Sequence, residues 1–342
     1  MRTALRPTLV RHEVILAAVL LIEWFYFYFT ATSEKRGITF GFGALDSQFD
    51  LLRHSVEIGL LALAVTPIIL TGGIDLSLGS TLGLCSIVFG KLWQDAGAPL
   101  WLAGLLTIVV GGLAGTINAG LIAKLRLPPL IVTLGTFSLF RGLAEALTRG
   151  TATYTGFPSS FLLLGQGRIA GLPTQGWLYL LVTIVIWLLI HRTVFGRTLR
   201  AIGFSSEGAR YAGIPVNRRI AAVYVFAGII AALAGIIYTS RLGQAKADAG
   251  TGYELYAITA VVLGGTSIFG GTGSVHGTIL GVAAIAVLTK GLVYARQPQE
   301  VGGILTGALL LLALLASTFA KSTFYRTRTA KTLTAPPQPK LP

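Results

Sequence analysis

The sequence predicts an all-α protein, a polytopic membrane bundle of about ten transmembrane helices with both termini in the cytoplasm. Of its 342 residues, 53% are hydrophobic and only 12% are charged, which is about half the charged share of a soluble domain. Apolar runs of about 20 residues, long enough to cross the hydrocarbon core, recur along the chain. The 43 glycines suit a membrane bundle, because small residues let helix backbones approach closely.

Ten apolar runs are expected to span the membrane. They cover residues 14–31, 51–71, 76–94, 99–123, 129–148, 177–192, 220–240, 255–270, 275–294 and 301–319. The run at 255–270 is short, and the run at 76–94 is rich in glycine. Runs of this length favour helices over a β-barrel, whose strands are about ten residues long and alternate in polarity.

Basic residues orient the predicted spans. With the N-terminus in the cytoplasm, sixteen of the 27 lysines and arginines fall in inner segments and seven in outer ones. Such a bias is typical of membrane proteins, and an even number of spans keeps both basic ends inside. We therefore expect a cytoplasmic N-terminus (1–13), a transmembrane domain (14–319) with an inner loop (193–219), and a disordered cytoplasmic tail (320–342). The aromatic block from Trp24 to Phe29 favours a retained first span over a cleaved signal peptide.

Several classes of function are disfavoured. The net charge of +14 is spread over many short loops, so nucleic-acid binding is not expected. The single Cys85 can form no internal disulfide, and His276 is alone in a glycine-rich turn, so no metal site is expected. The motif G-x-x-x-x-G-K-[ST] is missing from the sequence, as are the common hydrolase motifs, and we expect neither a bound cofactor nor enzymatic activity.

A short helix is predicted within the longest polar interruption, GRTLRAIGFSSEGARYAGI at 196–214. Ser205 or Ser206 can cap its start, and Glu207 suits its first turn. Gly213 suits the left-handed residue that closes a helix, and Pro215 stops any continuation. A helix of two turns is marginal alone in water, so its stability must come from docking.

Two interpretations of this helix remain open. It either connects two spans at the surface or docks into a groove of a cytosolic partner. In the second case the small residues Gly208, Ala209 and Ala212 would permit close approach.

A resemblance to a known family bears on this choice. The inner loop resembles the cytosolic coupling loop of permease subunits of bacterial ATP-binding-cassette importers, in the monosaccharide (ribose-type) branch. Three further stretches resemble the same family in the expected order: TGGIDLSLGS (71–80), NAGLIAKLRLPPLIVTLGTFSLFRG (118–142) and LGGTSIFGGTGSVHGTILG (263–281). The family often has Gly-Asn where this chain has Phe204 and Ser205, and serine keeps the capping chemistry. The first 50 residues show no clear resemblance.

The resemblance implies a multi-pass permease of the bacterial inner membrane that translocates a monosaccharide. Two permease subunits, identical or different, would form the pore in the lipid membrane. A separate subunit would bind and hydrolyse ATP, and an extracytoplasmic binding protein would deliver the sugar. The residues implied in coupling to the ATPase are Gly196, Arg197, Ala201, Gly203, Ser206, Glu207, Ala209, Arg210, Gly213 and Ile214.

The substrate and the energy source have alternatives. Ribose is the default sugar, while xylose, galactose and a sugar-like signalling molecule remain open. A related branch moves branched-chain amino acids, and the turn GGIDLS favours the sugar side. An ion-coupled secondary carrier would depend on Glu23 or Glu57, which lie within spans, although no basic partner within the membrane is obvious.

Polar residues near the span ends are candidates for gating or for the translocation path. They are Asp75, Ser77, Asn118, Thr133 and Thr136. Each also has a structural interpretation, since Asp75 can cap the following span, and hydroxyl and amide groups join helices in lipid. The outer loop at 149–176 has room for a short surface or re-entrant helix, and the sequence does not decide.

Overall fold

A computed structural model describes residues 6–35, 38–149, 153–298 and 300–315, and the described chain is a helical bundle. Its first helices are α1 (Arg6–Thr30), α2 (Leu45–Leu70), α3 (Leu78–Gln94), α4 (Leu100–Ala119), α5 (Pro129–Leu147) and α6 (Ser159–Gln166). They are followed by α7 (Thr174–Arg192), α8 (Val194–Phe204), α9 (Ser206–Tyr211), α10 (Val216–Leu242), α11 (Tyr253–Leu263) and α12 (Val275–Tyr294). The last described helix is α13 (Glu300–Leu315). The predicted tail at 320–342 lies outside the described residues.

Seven of the described helices are long and apolar enough to cross a membrane: α1, α2, α4 with the π-helical turn that follows it, α5, α7, α10 and α12. Each of the ten predicted runs contains a helix, but α3 has 17 residues and α11 has 11. The run at 255–270 is interrupted because Gly264 and Gly265 follow α11, and Gly265 has a φ of +85°. The polytopic helical bundle is confirmed, and the number of ten spans stays a prediction.

Helix α2 lies at the centre of the bundle. Its residues from Ser55 to Leu70 are buried without a break except at Ile58. In the apolar window of α2, 78% of the residues are buried, against 11% in α1. Helix α1 is therefore peripheral, while α2 is surrounded by other helices.

Glycines bring α4 and α10 into close contact, as the composition predicted. A Cβ atom on Gly228 of α10 would collide with the carbonyl oxygen of Gly111 and would lie 2.9 Å from the nitrogen of Gly115. A Cβ atom on Gly115 would likewise lie 2.8 Å from the Cα of Val225. Only glycine permits so short a distance between the two helix backbones. Close packing matters here because the hydrophobic effect does not drive helices together within lipid, and dispersion contacts must hold them.

Three short β-ribbons are formed by the described connections between helices. β1 (Thr32–Lys35) pairs with β2 (Ile38–Gly41). β3 (Tyr154–Thr155) pairs with β6 (Gln244–Ala245), and β4 (Arg168–Ile169) pairs with β5 (Leu172–Pro173).

The loop at 149–176 contains the short helix α6. The backbone N–H of Gly165 donates to Ser240 Oγ at 2.8 Å, and Ser240 Oγ donates to the carbonyl of Phe161 at 2.7 Å. Helix α6 is thus held against the end of α10, which explains why so short a helix is stable.

Candidate functional site

The predicted short helix in the inner loop is present as α9, with the predicted caps. Ser205 Oγ accepts a hydrogen bond from the backbone N–H of Gly208 at 3.0 Å. Gly213 has a φ of +78°, and the N–H groups of Gly213 and Ile214 donate to the carbonyls of Arg210 and Ala209 at 2.9 and 3.0 Å. These bonds satisfy backbone groups that the helix ends leave free.

Helix α8 precedes α9 and was not predicted. Its buried residues Gly196, Leu199 and Ile202 recur every three residues, which is the helical signal that the sequence contained. Two of its glycines are required by packing. A Cβ atom on Gly196 would collide with the carbonyl of Ile190, and one on Gly203 would collide with the carbonyl of Leu70.

The loop residues divide between two faces. Ala209 is 4% exposed and packs with Ile202 and Val216, while Ile214 lies partly buried against the same cluster. Docking of α9 on α8 and α10 turns Ala209 inward, and its role in coupling stays a prediction. Ala201 and Gly203 are half-buried.

Two aromatic side chains of the loop are almost fully exposed. Phe204 and Tyr211 are each 87% exposed, more than any other large apolar side chain that the structure describes. The exposed residues around them are Arg197, Ser206, Glu207, Gly208, Arg210, Ala212 and Gly213. Sequence reasoning missed both rings, since neither stands out by charge or by capping chemistry.

All five polar residues proposed for a gate or path lie in one buried region. Asp75, Ser77, Asn118, Thr133 and Thr136 are 0 to 4% exposed. The five residues come from three separate elements: Asp75 and Ser77 precede α3, Asn118 lies in the last turn of α4, and Thr133 and Thr136 lie on α5.

Hydrogen bonds connect four of these side chains in a row. Thr136 Oγ1 donates to Asn118 Oδ1 at 2.8 Å, and Asn118 Nδ2 donates to Ser77 Oγ at 2.9 Å. Ser77 donates to Asp75 Oδ1 from its hydroxyl at 2.6 Å and from its backbone N–H at 2.8 Å. The row of bonds joins α3, α4 and α5, and Asp75 fixes the turn before α3.

The carboxyl group of Asp75 is the charged end of this row. Burial raises the pKa of Asp75 to about 6, and the hydrogen bonds from Ser77 and Asn118 oppose that rise. A carboxyl group of this kind changes its charge closer to neutral pH than an exposed aspartate does.

The buried row lies next to the inner loop. Gly203 of α8 touches the carbonyl of Leu70, the last residue of α2, and the N–H of Gly271 donates to the same carbonyl at 3.0 Å. Four residues later the carbonyl of Ile74 accepts from Thr133 Oγ1 at 3.3 Å and from Tyr224 Oη at 3.5 Å. Only five positions of the chain separate Leu70, which α8 contacts, from Asp75 of the buried row.

Glu57 has a basic partner that the sequence did not reveal. Arg241 Nε donates to Glu57 Oε1 at 2.6 Å, and the two side chains are 8% and 0% exposed. The sequence suggested no basic partner for Glu57 within the membrane, and this expectation was wrong. Helix α10 brings Arg241 to α2, although the two residues are 184 positions apart in the chain. Glu23 is half-buried on the peripheral α1.

His276 is not isolated, contrary to the sequence-based expectation. Trp187 Nε1 donates to His276 Nε2 at 2.9 Å, and the rings of His191 and His276 are 5.4 Å apart. Both partners belong to α7, which passes the glycine-rich turn before α12.

Comparison with known proteins agrees with these features. Residues 47–314 match the model of a family described as "Branched-chain amino acid transport system / permease component". The chain is similar to the autoinducer 2 import system permease protein LsrD of Escherichia coli strain HS, of Escherichia coli K12 and of Shigella flexneri. In each case the identity is 40% over 312 residues, covering 88% of this chain and 90% of the relative. No solved structure matches. Since the family match covers more than half of the chain, this protein is a member of that family of multi-pass membrane permeases.

Proposed function

We propose that this chain is the permease subunit of an ATP-binding-cassette importer for a sugar-like solute of the autoinducer-2 type. The relatives at 40% identity are named as permeases of such an import system. The substrate is then closer to the sugar-like signalling molecule than to ribose or to a branched-chain amino acid. ATP would be bound and hydrolysed by a separate subunit.

The exposure of Phe204 and Tyr211 is the observation that carries this proposal. Both rings are 87% exposed on a polar loop whose inward face is anchored. Exposed aromatic residues on a rigid support are typical anchors of protein interfaces. A soluble ATPase subunit with a groove that receives these rings would gain a contact with α8, and through Gly203 with α2.

A second permease subunit fits the exposed face of α5. Gly135, Ser138, Gly142 and Glu145 are all exposed, and their spacing places them on one side of the helix. Glycine, serine and glutamate leave polar groups exposed on this face, and lipid offers such groups no hydrogen-bond partners. A face of this composition suits a water-lined path or a partner helix, as a dimeric pore would provide.

The topology belongs to the same proposal. Ten spans, with α3, α11 and α13 counted, would place both termini and the α8–α9 loop on the cytoplasmic side of a bacterial inner membrane. An extracytoplasmic binding protein would meet the opposite end, where α6 and the three β-ribbons lie.

An ion-coupled carrier has less support. Such a carrier needs an acidic group that exchanges protons during the cycle. Glu57, one of the two candidates, is held by Arg241 at 2.6 Å and fully buried, which suits a structural pair.

Reconstitution of the complete system tests the proposal. Proteoliposomes would contain this permease, its neighbouring permease and ATPase subunits, and the binding protein, with ATP inside or outside. We expect uptake of labelled autoinducer 2 that requires ATP and the binding protein. Uptake driven by a proton gradient without ATP would overturn the importer, and ATP-driven uptake of ribose or leucine in place of autoinducer 2 would overturn only the substrate.

A further inference from the structure

Three arginines gather around two adjoining pockets at the α9 end of the bundle. One pocket, of about 250 Å³, is lined by Arg126 and Arg210 together with Thr71, Asn217 and Tyr224. The other, of about 360 Å³, shares Arg126, Arg210 and Asn217 and adds Arg218. No aspartate or glutamate lines either pocket.

The positive charge of these pockets is not neutralised within the described residues. Four ion pairs are formed there, and none involves Arg126, Arg210 or Arg218. Arg210 is instead oriented by Asn217. The guanidinium group of Arg210 donates a hydrogen bond to Asn217 Oδ1 at 3.2 Å. Three unpaired guanidinium groups around one space attract an anion, and their planar donors match the oxygens of a phosphate group.

The backbone presents Arg126 in an unusual way. Helix α4 ends in a π-helical turn at Gly120–Lys124, where the N–H groups of Leu125 and Leu127 donate to the carbonyls of Gly120 and Leu121 at 3.1 Å. Arg126 lies between them with a φ of 59°, a conformation unfavourable for a residue with a Cβ atom. Such turns and strained residues are frequent at functional sites.

Apolar side chains directly beside the arginines indicate the source of the phosphate. Leu125 is 61% exposed, Leu127 and Leu130 are each 44% exposed, and Ile131 is 67% exposed. Arg126 therefore lies between apolar surface suited to acyl chains and pockets whose arginine side chains suit an anionic headgroup. A soluble phosphate compound would gain nothing from this apolar strip.

We propose that Arg126, Arg210 and Arg218 form a binding site for the phosphate headgroup of an anionic phospholipid. The lipid would place its headgroup between the end of α4, α9 and the start of α10, with its acyl chains along the exposed leucines. Because Arg210 belongs to α9, the bound lipid would hold this helix in place. The site needs no ATPase subunit, so its failure would leave the proposed transport function untouched.

The test compares two double variants of the full-length chain in nanodiscs. Arg126→Gln with Arg218→Gln removes two arginines of the site and leaves Arg210 on α9 unchanged. Arg149→Gln with Arg296→Gln is the matched control, because both residues are exposed and have φ values of 51° and 58°, close to that of Arg126. The single variant Arg218→Gln, on a regular helix, is included in case the change at Arg126 impairs folding.

Native mass spectrometry would measure phosphatidylglycerol retained by the protein, with phosphatidylcholine as the neutral reference. We expect the site variant to bind phosphatidylglycerol roughly tenfold more weakly or worse, since each basic residue near an anionic surface adds attraction. We expect Arg218→Gln alone to show a smaller loss, and the control to bind as the unchanged protein does.

Three results would overturn the proposal. Equal binding by the site and control variants would show that the arginines hold no lipid. Inorganic phosphate that binds in neutral detergent as tightly as phosphatidylglycerol would identify a soluble anion as the ligand. The ATPase subunit could also displace all of the bound phosphatidylglycerol while ATP-driven uptake stayed unchanged in membranes without that lipid. This result would assign the arginines to the protein interface.

Discussion

Gly203 of α8 lies against the carbonyl group of Leu70, the last residue of α2, so closely that a methyl group at position 203 would overlap the carbonyl oxygen. The most central helix of the bundle thus ends directly on the helix that presents the proposed docking surface. At this contact no side chain separates α8 from α2.

Replacing Gly203 with alanine should disturb both stability and coupling. The added methyl group would also lie 3.0 Å from the carbonyl carbon of Leu70, and overpacking of this kind costs about 1–3 kcal/mol. We expect a lower midpoint of thermal unfolding in detergent and a loss of solute-dependent ATP hydrolysis in the reconstituted complex. The control is Gly104→Ala on α4, where a Cβ atom meets nothing within 4 Å. An unchanged rate of stimulated hydrolysis in Gly203→Ala would contradict transmission through this contact.

The double variant Phe204→Ala with Tyr211→Ala should weaken the docking of the ATPase subunit. Buried aromatic anchors at interfaces contribute about 2 kcal/mol or more, so we expect the dissociation constant to rise at least about tenfold. Both rings are 87% exposed in the unpartnered chain, and their removal should leave its unfolding midpoint unchanged. Binding would be measured by co-purification and by titration with the purified ATPase.

A matched control for these rings is Phe29→Ala, since Phe29 is 75% exposed on the peripheral α1. The same loss of ATPase binding in the control would remove the evidence for a docking surface on α9.

Asp75→Asn should make the unfolding free energy less dependent on pH. Burial raises the pKa of Asp75 to about 6 from its usual value near 3.8, so the folded state holds this proton more tightly than the unfolded state does. The contribution of Asp75 to stability is therefore present below pH 4 and is lost as the pH rises towards 6. Asparagine stays neutral, and its Oδ1 can still accept the bonds from Ser77, so we expect the variant to be flatter between pH 4 and 6 and more stable than the parent above pH 6.

Transport by the same variant separates the two interpretations of Asp75. If the side chain only fixes the turn before α3, uptake at neutral pH should be retained. A stable Asp75→Asn protein that no longer transports would instead assign the carboxylate to the gate.

Breaking the pair of Glu57 and Arg241 should be strongly destabilising. An unpaired charge left in a buried site costs about 3–5 kcal/mol, and the side chain of Glu57 is fully buried at 0% exposure. We expect Arg241→Met alone to lower the unfolding midpoint sharply, and Glu57→Leu added to Arg241→Met to restore most of it. ATP-driven uptake by the restored double variant would agree with a structural pair, whereas a specific loss of uptake would favour the ion-coupled carrier.

Gly228→Ala should separate α4 from α10. A Cβ atom at Gly228 would collide with the carbonyl oxygen of Gly111, whereas one at the neighbouring Gly112 would meet Ile229 only at 3.5 Å. We expect Gly228→Ala to lower the unfolding midpoint and Gly112→Ala to leave it nearly unchanged. Similar midpoints for the two variants would mean that α4 and α10 tolerate a wider separation.

The parts of the fold that local chemistry determines could be predicted from the sequence. Apolar runs long enough to span a membrane predicted the helical bundle. Ser205 and Gly213 predicted the two ends of α9, because a helix cap depends on residues only a few positions apart. The close glycine contacts between helices were also expected in kind, though not at Gly111 and Gly228 in particular.

The parts that depend on tertiary packing could not be predicted. The partner of Glu57 is 184 positions away, and no local pattern reports such a distance. The inward orientation of Ala209 could not be predicted either, because it is set by the contact of α9 with Ile202 and Val216. Asp75 and Thr136 were singled out separately as polar residues near span ends, and only the packing of α3, α4 and α5 revealed that a row of hydrogen bonds links them.

The exposure of Phe204 and Tyr211 has a consequence for the stability of the permease before it binds its ATPase subunit. A newly inserted copy without its ATPase would leave two aromatic side chains exposed, and exposed apolar surface favours aggregation and degradation of an unassembled subunit. Because α8 and α9 are already anchored to the bundle, this surface needs no reshaping, and capture by the ATPase would hide it at once. Synthesis of the permease and the ATPase in equal amounts would then protect the permease from degradation, in addition to supplying the subunit that drives transport.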